Sequence, residues 1–377
     1  MSRKLAFCLI KYFPYGGLQR DFLKIAEICH RSGYRIEAFT LEWTGPVPEW
    51  LTLRLVRVRC VTNHARRLAL SQELSRMTSA GEYAATVGFS KMPGLDVYFA
   101  ADSCYAAKNE KRNIFYRLSG RYRVYSFLEK AVFSAASPSV VLMLSEAEKH
   151  LYQHFYQTPE ERLFLLPPGI SRDRLRPLDA AALGAGLRAE LGVGADSYLV
   201  LLVGSGFKTK GVDRALLAVA SLPEEIRENC FLVVIGKDNF SPFARLAKSL
   251  GIAGRVIFFP GRDDITRFLV AADLLIHPAY KENTGTVLIE ALAAGLPVLT
   301  TDVCGYSGHI RQAQAGLVLA SPFLQERLNL LLARMLLSRY RKTWSRNALR
   351  YVEQEDVFSM PEKAAEIIIK VARRQKP

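Results

Sequence analysis

The fold is decided by a stretch that reads HPAYKENTGTVLIEA, residues 277–291. An apolar run just before it predicts a strand, and a polar loop then leads to Gly285, where an apolar-periodic helix begins. A helix N-terminus offers unpaired N–H groups and a partial positive charge, so this turn favours an anion such as phosphate. Two carboxylates, Glu282 and Glu290, flank the turn; they would repel phosphate but can hydrogen-bond hydroxyl groups. Phosphate and hydroxyls together indicate a nucleotide sugar.

Strand-like and helix-like runs alternate on both sides of this stretch, which is the pattern of parallel α/β folds. Strands are predicted at residues 4–10, 35–40, 86–89, 97–100, 140–144, 198–203, 231–235, 256–259, 274–277 and 297–301. Helices are predicted at residues 18–32 and from residue 323 to the end of the chain. The two halves therefore predict two doubly wound domains. Two such domains facing each other leave a cleft, and ligands bind at the carboxyl ends of the strands.

The length of 377 residues allows two or three domains. A Pro-, Gly- and Ala-rich segment at residues 167–195 predicts an inter-domain linker with a short helix. We place an N-terminal Rossmann-like domain at residues 1–170 and a C-terminal Rossmann-like domain at residues 171–354. Residues 355–377 are expected to form a C-terminal helix that packs back on the N-terminal domain.

The composition limits the classes of protein that remain. No apolar run approaches the roughly 20 residues that span a bilayer, and the short apolar start, which ends at Lys11, predicts a first strand rather than a signal peptide. The six cysteines lack CxxC spacing, which indicates reduced thiols in the cytoplasm. The net charge of +15 indicates an anionic partner, which could be nucleic acid, a membrane surface or a phosphorylated substrate.

Two glycine-containing turns could approach a ligand. Gly16 and Gly17 follow the first predicted strand, and Asp21 lies one turn into the next helix. This arrangement fits either a ligand held at that helix N-terminus or a tight strand–helix connection in which the acid helps the helix dipole. The second turn reads GSGFKTKG, residues 204–211, and is not a Walker A sequence. Gly204, with Lys208 and Lys210, nevertheless has the geometry of a phosphate loop.

Arg174 follows the PPGI stretch at residues 167–170 and could reach the same ligand. Glu290 lies in a mostly apolar setting, so a buried carboxylate there needs a polar partner. A ribose is one candidate, and a neighbouring lysine or arginine is the other. No histidine or acid pair in the sequence forms a convincing metal site, so no metal ion is expected.

Residues 104–133 combine basic and aromatic side chains. Seven lysines and arginines against two glutamates give a charge of +5, and aromatic residues recur at helical spacing. This pattern fits a helix lying in a membrane interface with its basic groups near anionic lipid heads. A surface helix with its aromatics in the core, or a nucleic-acid-binding face, remains an alternative.

Several of these motifs resemble a known family. The Glu282-x7-Glu290 pattern in a strand–loop–helix is similar to the signature of the retaining GT-B glycosyltransferases of family four. Further motifs resemble the lipopolysaccharide core glucosyltransferase I family of Gram-negative bacteria. They are KYFPYGGLQRD at 11–21, KMPGLDVYFAAD at 91–102, PPGI at 167–170 and VCGY at 303–306. The resemblance covers nearly the whole chain.

The resemblance implies the GT-B fold, an α/β architecture of two Rossmann-like doubly wound domains facing a central cleft. The N-terminal domain would bind the acceptor and the C-terminal domain the nucleotide sugar. It also implies a retaining UDP-glucose:(heptosyl)lipopolysaccharide α-1,3-glucosyltransferase that adds glucose to a heptose of the inner core, with no cofactor and no metal ion. The acceptor would be a heptosylated lipid A–core. The enzyme would bind peripherally to the cytoplasmic face of the inner membrane, contact anionic lipids through residues 104–133 and bind no nucleic acid.

The resemblance also implies residue roles. By position, Arg174 and Lys210 would neutralise the donor diphosphate, Glu282 would contact the sugar hydroxyls and Glu290 the ribose. Asp21 and Asp102 would lie on the acceptor side and, with Glu282, form the catalytic set. The other donor-binding candidates are Gly16, Gly17, Gly204, Lys208, Asn283, Thr284, Gly285, Thr286 and Val287.

Two departures from the family keep alternatives open. The family usually has arginine directly before the phosphate-loop lysine, where this chain has Thr209, and Lys208 is the candidate substitute. Asn283 and Thr284 are polar where small apolar residues are common, so the donor sugar could be glucose, galactose or an N-acetylhexosamine. From other classes, a basic nucleic-acid-binding protein and a sugar-nucleotide epimerase also remain as alternatives.

Overall fold

The computed structural model describes residues 3–14, 16–80 and 83–374. Tyr15, which belongs to the motif at 11–21, lies outside the described residues. So do residues 1–2 of the predicted N-terminal domain and residues 375–377 of the predicted C-terminal helix. The chain divides into two compact units. Unit 1 comprises Met1–Pro167 with Ser359–Pro377, and unit 2 comprises Pro168–Phe358.

Unit 1 is built on a parallel sheet covered by helices on both faces. Its strands are β1 Lys4–Cys8, β2 Lys11–Tyr12, β3 Arg35–Thr40, β4 Glu42–Trp43, β5 Leu51–Leu55, β6 Tyr83–Gly88, β7 Val97–Ala100, β8 Val140–Met143 and β9 Leu163–Leu165. Its helices before residue 168 are α1 Gly17–Arg31, α2 Asn63–Ala80, α3 Tyr105–Lys108, α4 Ile114–Leu118, α5 Gly120–Phe133 and α6 Glu146–Tyr156. In the described residues the main sheet has the order β5-β3-β1-β6-β7-β8-β9, and β2 pairs with β4 separately.

Alternation along β1 explains why this sheet is buried on both faces. Leu5 and Phe7 pack into one apolar cluster, while Ala6 and Cys8 pack into the cluster on the opposite face. Successive side chains of a strand point to opposite faces, so a nearly continuous apolar run is what a doubly covered parallel strand requires.

Unit 2 repeats the same architecture. Its strands are β10 Tyr198–Val203, β11 Cys230–Ile235, β12 Val256–Phe259, β13 Leu274–His277, β14 Val298–Thr301 and β15 Gly316–Leu319. Its helices are α7 Ala180–Glu190, α8 Phe207–Lys210, α9 Val212–Ala220, α10 Glu224–Arg227, α11 Ser241–Ser249, α12 Ile265–Ala271, α13 Thr286–Ala294, α14 Ser307–Ala313, α15 Gln325–Leu336 and α16 Arg341–Gln354. The sheet order is β12-β11-β10-β13-β14-β15, and all the pairings are parallel.

The strand order locates the ligand-binding edge of unit 2. From β10 the chain adds β11 and β12 on one side of the sheet, then crosses over to add β13, β14 and β15 on the other. The order therefore reverses between β10 and β13, and open α/β sheets bind ligands at the carboxyl edge of such a switch point. The α/β class with two doubly wound units, predicted from the sequence, is confirmed.

The last helix, α17 Met360–Arg374, belongs to unit 1 and packs on α1. Its buried face, which includes Met360, Ala364 and Ile368, joins the apolar cluster that contains Phe22 of α1. The chain passes from unit 2 back to unit 1 at Phe358/Ser359, between α16 and α17. The boundary predicted from the sequence lies four residues earlier, between residues 354 and 355.

The predicted linker at residues 167–195 is wrong in part. The units divide at Pro167/Pro168 and the expected short helix is present as α7, but the segment is not a linker, because Leu187 and Val193 are buried in the core of unit 2 and α7 packs on α12. The segment from residue 323 is helical, as predicted, and it consists of three separate helices, α15, α16 and α17. Across residues 3–14, 16–80 and 83–374, no helix is both long and apolar enough to span a bilayer.

Candidate functional site

Two loops meet at the switch point of unit 2. One leads from β10 into α8, and the other leads from β13 into α13. The N–H of Tyr280 donates to the carbonyl of Thr209 at 2.9 Å, which ties the second loop to the first. Gly211 has φ +76°, and a Cβ there would lie 2.2 Å from the carbonyl oxygen of Pro278, so this close approach requires glycine.

The Lys210 ammonium forms an ion pair with the Glu282 carboxylate across these loops. The side chains are 20% and 13% exposed, so the pair is largely withdrawn from water. Burial lowers the pKa of Lys210. The lysine chain lies over Gly204, where a Cβ would come within 3.1 Å of it, and Gly204 itself has φ +146°. Gly204 thus makes room for the lysine that reaches Glu282.

The backbone around Glu282 is held by the turn that follows β14. The carbonyl of Glu282 accepts from Gly305 N–H at 3.3 Å, and that of Thr284 accepts from Tyr306 N–H at 2.8 Å. Both donors belong to the VCGY motif at 303–306, to which the sequence assigned no role. Because this motif fixes the loop, the Glu282 carboxylate is presented from a rigid base.

Helix α13 begins where the sequence predicted. Gly285 has φ +84° and precedes Thr286, the first residue of the helix. The N–H groups of the first helical turn have no partner within the helix and can bind an anion. Asn283, Thr284 and Thr286 are partly exposed, whereas Val287 is buried.

Glu290 faces Arg174 rather than standing alone in its apolar surroundings. Arg174 Nε lies 3.8 Å from Glu290 Oε1, and the two side chains are 11% and 13% exposed. The same guanidinium donates to the carbonyl of Asp263 at 3.2 Å. The arginine partner that the sequence left as one alternative for Glu290 is therefore present. The structure arranges the four predicted charged residues as two acid–base pairs.

Lys208 is not part of either pair. Its side chain is exposed, and within the described ranges it forms no ion pair. Residues two apart on a helix do not face each other, so Lys208 does not share the side of α8 that directs Lys210 to Glu282.

In unit 1, the glycines of the first turn differ from each other. A Cβ on Gly16 would lie 1.8 Å from Oε1 of the buried Gln19, whose amide donates to the carbonyl of Lys11 at 3.0 Å. Gly16 is therefore closely packed against neighbouring side chains, in line with the tight-connection alternative. A Cβ on Gly17 would meet nothing within 4 Å, so space is open beside the N-terminus of α1.

The two acids of unit 1 lie beyond the carboxyl edge of its sheet. Asp102 follows β7 directly and is exposed, and its carbonyl accepts from the Tyr152 hydroxyl at 2.9 Å. Asp21 lies one turn into α1. Burial raises the pKa of the Asp21 carboxyl to about 7, against the positive charges of Arg20 and Lys24.

Residues 104–133 form three helices, not the single amphipathic helix that the sequence predicted. Asn113 and Ser119 cap α4 and α5, and these caps break the run. Phe133 is buried and stacks on Tyr152, so part of the aromatic pattern serves the core. The outer surface nevertheless exposes large apolar side chains beside basic ones. These apolar side chains are Ile114 at 62%, Phe115 at 80%, Leu118 at 67% and Phe127 at 53% exposure.

Sequence reasoning missed two buried groups. Glu129 is fully buried, pairs with Lys91 and accepts from the N–H groups of Tyr105 and Ala106, which fixes the start of α3 three residues after Asp102. His277 ends β13 beside Glu282 and is also buried. In both cases, the feature of the sequence that could have indicated a role is a polar residue within an apolar run. Among the described residues, no cluster of three or more His, Cys, Asp or Glu side chains could hold a metal ion.

Comparison with known proteins now identifies the family. The chain is 45% identical over 366 residues to the lipopolysaccharide glucosyltransferase WaaG of Escherichia coli (strain K12), covering 97% of this chain and 98% of that protein. This chain belongs to the lipopolysaccharide glucosyltransferase family. It is therefore a glycosyltransferase of lipopolysaccharide core assembly, as the motifs predicted. The family model for glycosyl transferases group 1 matches residues 186–351.

Solved structures agree with the GT-B assignment of this glycosyltransferase. The crystal structure of WaaG, a glycosyltransferase involved in lipopolysaccharide biosynthesis, matches with a TM-score of 0.90 and 44% identity, over 97% of this chain and 99% of that one. Anabaena Alr3699/HepE in complex with UDP and glucose matches with a TM-score of 0.73 over 98% and 100% of the two chains. At 18% identity, the second likeness supports the fold alone.

Proposed function

We propose that this glycosyltransferase moves glucose from UDP-glucose, with retention, to a heptose of the lipopolysaccharide inner core in an α-1,3 linkage. The observation that carries the proposal is the Lys210–Glu282 ion pair at the switch point of unit 2, beside the N-terminus of α13. It combines a cation suited to a diphosphate with a carboxylate suited to sugar hydroxyls. The likeness to the Escherichia coli lipopolysaccharide glucosyltransferase supports glucose as the sugar.

In the proposed mechanism, donor binding separates each cation from its glutamate and gives both groups new partners on the donor. The diphosphate attracts Lys210 and the N–H groups at the start of α13, which releases the Glu282 carboxylate to accept hydrogen bonds from the sugar. Arg174 turns to the diphosphate in the same way and leaves Glu290 for the ribose hydroxyls. In the structure each acid–base pair keeps its charges compensated, and the donor supplies new partners for both members of each pair.

These groups also act on the reaction. Lys210, Arg174 and the helix N–H groups stabilise the negative charge that builds on UDP as it leaves. The acceptor hydroxyl attacks from the face that UDP vacates, so retention needs no protein nucleophile. Since protein groups neutralise the diphosphate, this mechanism requires neither a metal ion nor a cofactor. Asp21 and Asp102 are proposed to act on the acceptor, and a carboxyl pKa near neutrality suits Asp21 to receiving a proton from a hydroxyl.

The proposed acceptor is a heptosylated lipid A–core at the cytoplasmic face of the inner membrane, where the enzyme binds peripherally. Support comes from the surface of residues 104–133, where Phe115 and Leu118 are exposed among basic side chains. Exposed apolar groups can enter the headgroup region while the basic groups attract anionic lipids.

One experiment tests the donor, the acceptor and the reaction together. The purified protein is incubated with a panel of UDP- and ADP-sugars and a heptose-containing core acceptor, and the products are analysed by mass and linkage. We expect one hexose added from UDP-glucose in an α-1,3 linkage. Transfer only from UDP-galactose or a UDP-N-acetylhexosamine overturns the donor assignment. Conversion of the donor without transfer overturns the proposed reaction.

A further inference from the structure

The His277 side chain is buried without a hydrogen-bond partner. It is 1% exposed, and neither ring nitrogen is hydrogen-bonded to any residue that the structure describes. Buried polar groups in proteins are almost always hydrogen-bonded, since an unsatisfied one costs free energy that an apolar side chain would not. Its neighbours along the strand, Leu275 and Ile276, are apolar, so a leucine at position 277 would suit the surroundings.

The polar group that His277 approaches is the Glu282 carboxylate. His277 Nε2 lies 3.5 Å from Glu282 Oε2, a short movement away from a good hydrogen bond. Burial, with the nearby charge of Lys210, lowers the pKa of His277 to about 3, so the imidazole is neutral and carries one N–H donor. Oε2 already accepts a hydrogen bond from Lys210 in the structure.

Donor binding removes that occupant. If Lys210 moves to the diphosphate, the Glu282 carboxylate, only 13% exposed, loses its cationic partner. A carboxylate in such a place needs another donor, both to offset its lost hydration and to keep its position. His277 is the donor that stands ready behind it, while the sugar hydroxyls approach from the open side.

We propose that His277 is a positioning residue, which donates its Nε2–H to Glu282 once a nucleoside diphosphate has drawn Lys210 away. This inference rests on the proposed function, because it needs Lys210 to bind the diphosphate. It explains why a polar side chain occupies this buried position: its hydrogen bond is made in the donor complex and not before it.

The test compares His277→Leu with His277→Gln, using UDP as the probe and isothermal calorimetry as the readout. Leucine removes the N–H donor, whereas a glutamine amide can place an N–H near the position of Nε2. We expect UDP affinity to fall by about tenfold to a hundredfold in His277→Leu, the worth of a hydrogen bond to a charged group, and to recover in His277→Gln. The thermal unfolding midpoint of ligand-free His277→Leu should be unchanged or higher, because an unsatisfied buried group is lost.

A double-mutant cycle separates positioning from packing. In a Glu282→Gln background, His277→Leu should cost much less UDP affinity than it does in the wild type, because the carboxylate that needs the donor is gone. An equal loss in both backgrounds, or a lower unfolding midpoint without rescue by glutamine, overturns the inference in favour of a packing role.

The same titrations distinguish failure of the inference from failure of the proposed function. If Lys210→Ala binds UDP as the wild type does, the diphosphate role of Lys210 fails, and the inference fails with it. If Lys210→Ala weakens UDP binding but His277→Leu binds UDP normally, only the role of His277 is overturned.

Discussion

Lys210 and Arg174 in unit 2 are each paired with a glutamate, whereas the basic side chains of residues 104–133 in unit 1 are exposed and form no ion pair in the described part of the chain. The loop that carries Glu282, the partner of Lys210, is hydrogen-bonded through its backbone to α8 and to the turn after β14. The exposed cations lie beside exposed apolar side chains such as Phe115.

The difference indicates two kinds of anion recognition. A buried, paired cation binds a new anion only if the anion outcompetes its glutamate and if the glutamate gains new partners, so the site selects for a ligand with both phosphate and hydroxyl groups. Exposed cations attract any nearby negative surface, and salt weakens that attraction. Changing one region at a time shows whether the two regions differ in this way.

Removing Glu282 should have the largest effect. Glu282→Ala should lower the transfer rate by about a hundredfold or more, because the sugar loses a charged hydrogen-bond acceptor, while the protein remains folded. Steady-state kinetics and thermal unfolding on the same samples measure both effects. Glu225→Ala, an exposed glutamate of the same unit, is the matched control and should behave as wild type. Unchanged turnover in Glu282→Ala would refute the role of the carboxylate.

Alanine variants of the two lysines of α8 compare the UDP affinity contributed by a paired cation, Lys210, with that of an unpaired one, Lys208. Lys210→Ala should weaken UDP binding by about 10- to 100-fold, because a charge-assisted contact with the diphosphate is lost. Lys208→Ala should change it by about twofold or less, because Lys208 is exposed and does not face Glu282. Calorimetric titration with UDP measures both. A larger effect at Lys208 would mean that this residue replaces the missing family arginine.

The exposed basic surface should respond to lipid charge. Replacing Arg117, Arg121 and Arg123 together by glutamine should weaken binding to anionic vesicles, measured by co-sedimentation, by about 10- to 100-fold, since each basic group near such a surface contributes roughly 1 kcal/mol. Neutralising Arg334, Lys342 and Arg346, which are exposed in unit 2, removes the same charge and should have little effect. Equal losses in the two triple variants would mean that net charge, and not this segment, binds the membrane.

The smallest effect concerns Asp21 and pH. Burial raises the pKa of its carboxyl from 3.8 to about 7 in the folded chain, so between these values the folded state holds a proton that the unfolded state has released. Stability from this group is therefore present at low pH and is lost as pH rises through about 7. Between about pH 6 and pH 8, wild type should lose roughly 1–2 kcal/mol more unfolding free energy than Asp21→Asn. Parallel urea titrations of both proteins measure this; identical pH dependence would show that Asp21 is not perturbed.

The sequence predicted the features that depend on local residue pattern, namely the positions of strands and the start of a helix. Short, nearly continuous apolar runs located most strands, and the glycine at 285 located the start of α13. It could not predict side-chain pairing across loops, because Lys210 and Glu282 are 72 residues apart and meet only through the adjacency of β10 and β13. For the same reason, the sequence could not decide between the possible partners of Glu290 or show that His277 approaches Glu282. Low apolar periodicity at residues 167–195 was misleading, since its small residues pack closely in the core: Gly184 lies against the backbone of Val270.

A crystal structure with UDP-glucose bound tests the central claim most directly. We predict that the Lys210–Glu282 ion pair is open in that complex, with Lys210 Nζ on a phosphate oxygen and the Glu282 carboxylate within hydrogen-bond distance of a sugar hydroxyl. A complex in which UDP-glucose is bound while Lys210 remains paired with Glu282 would contradict the exchange of partners on which the proposed function depends.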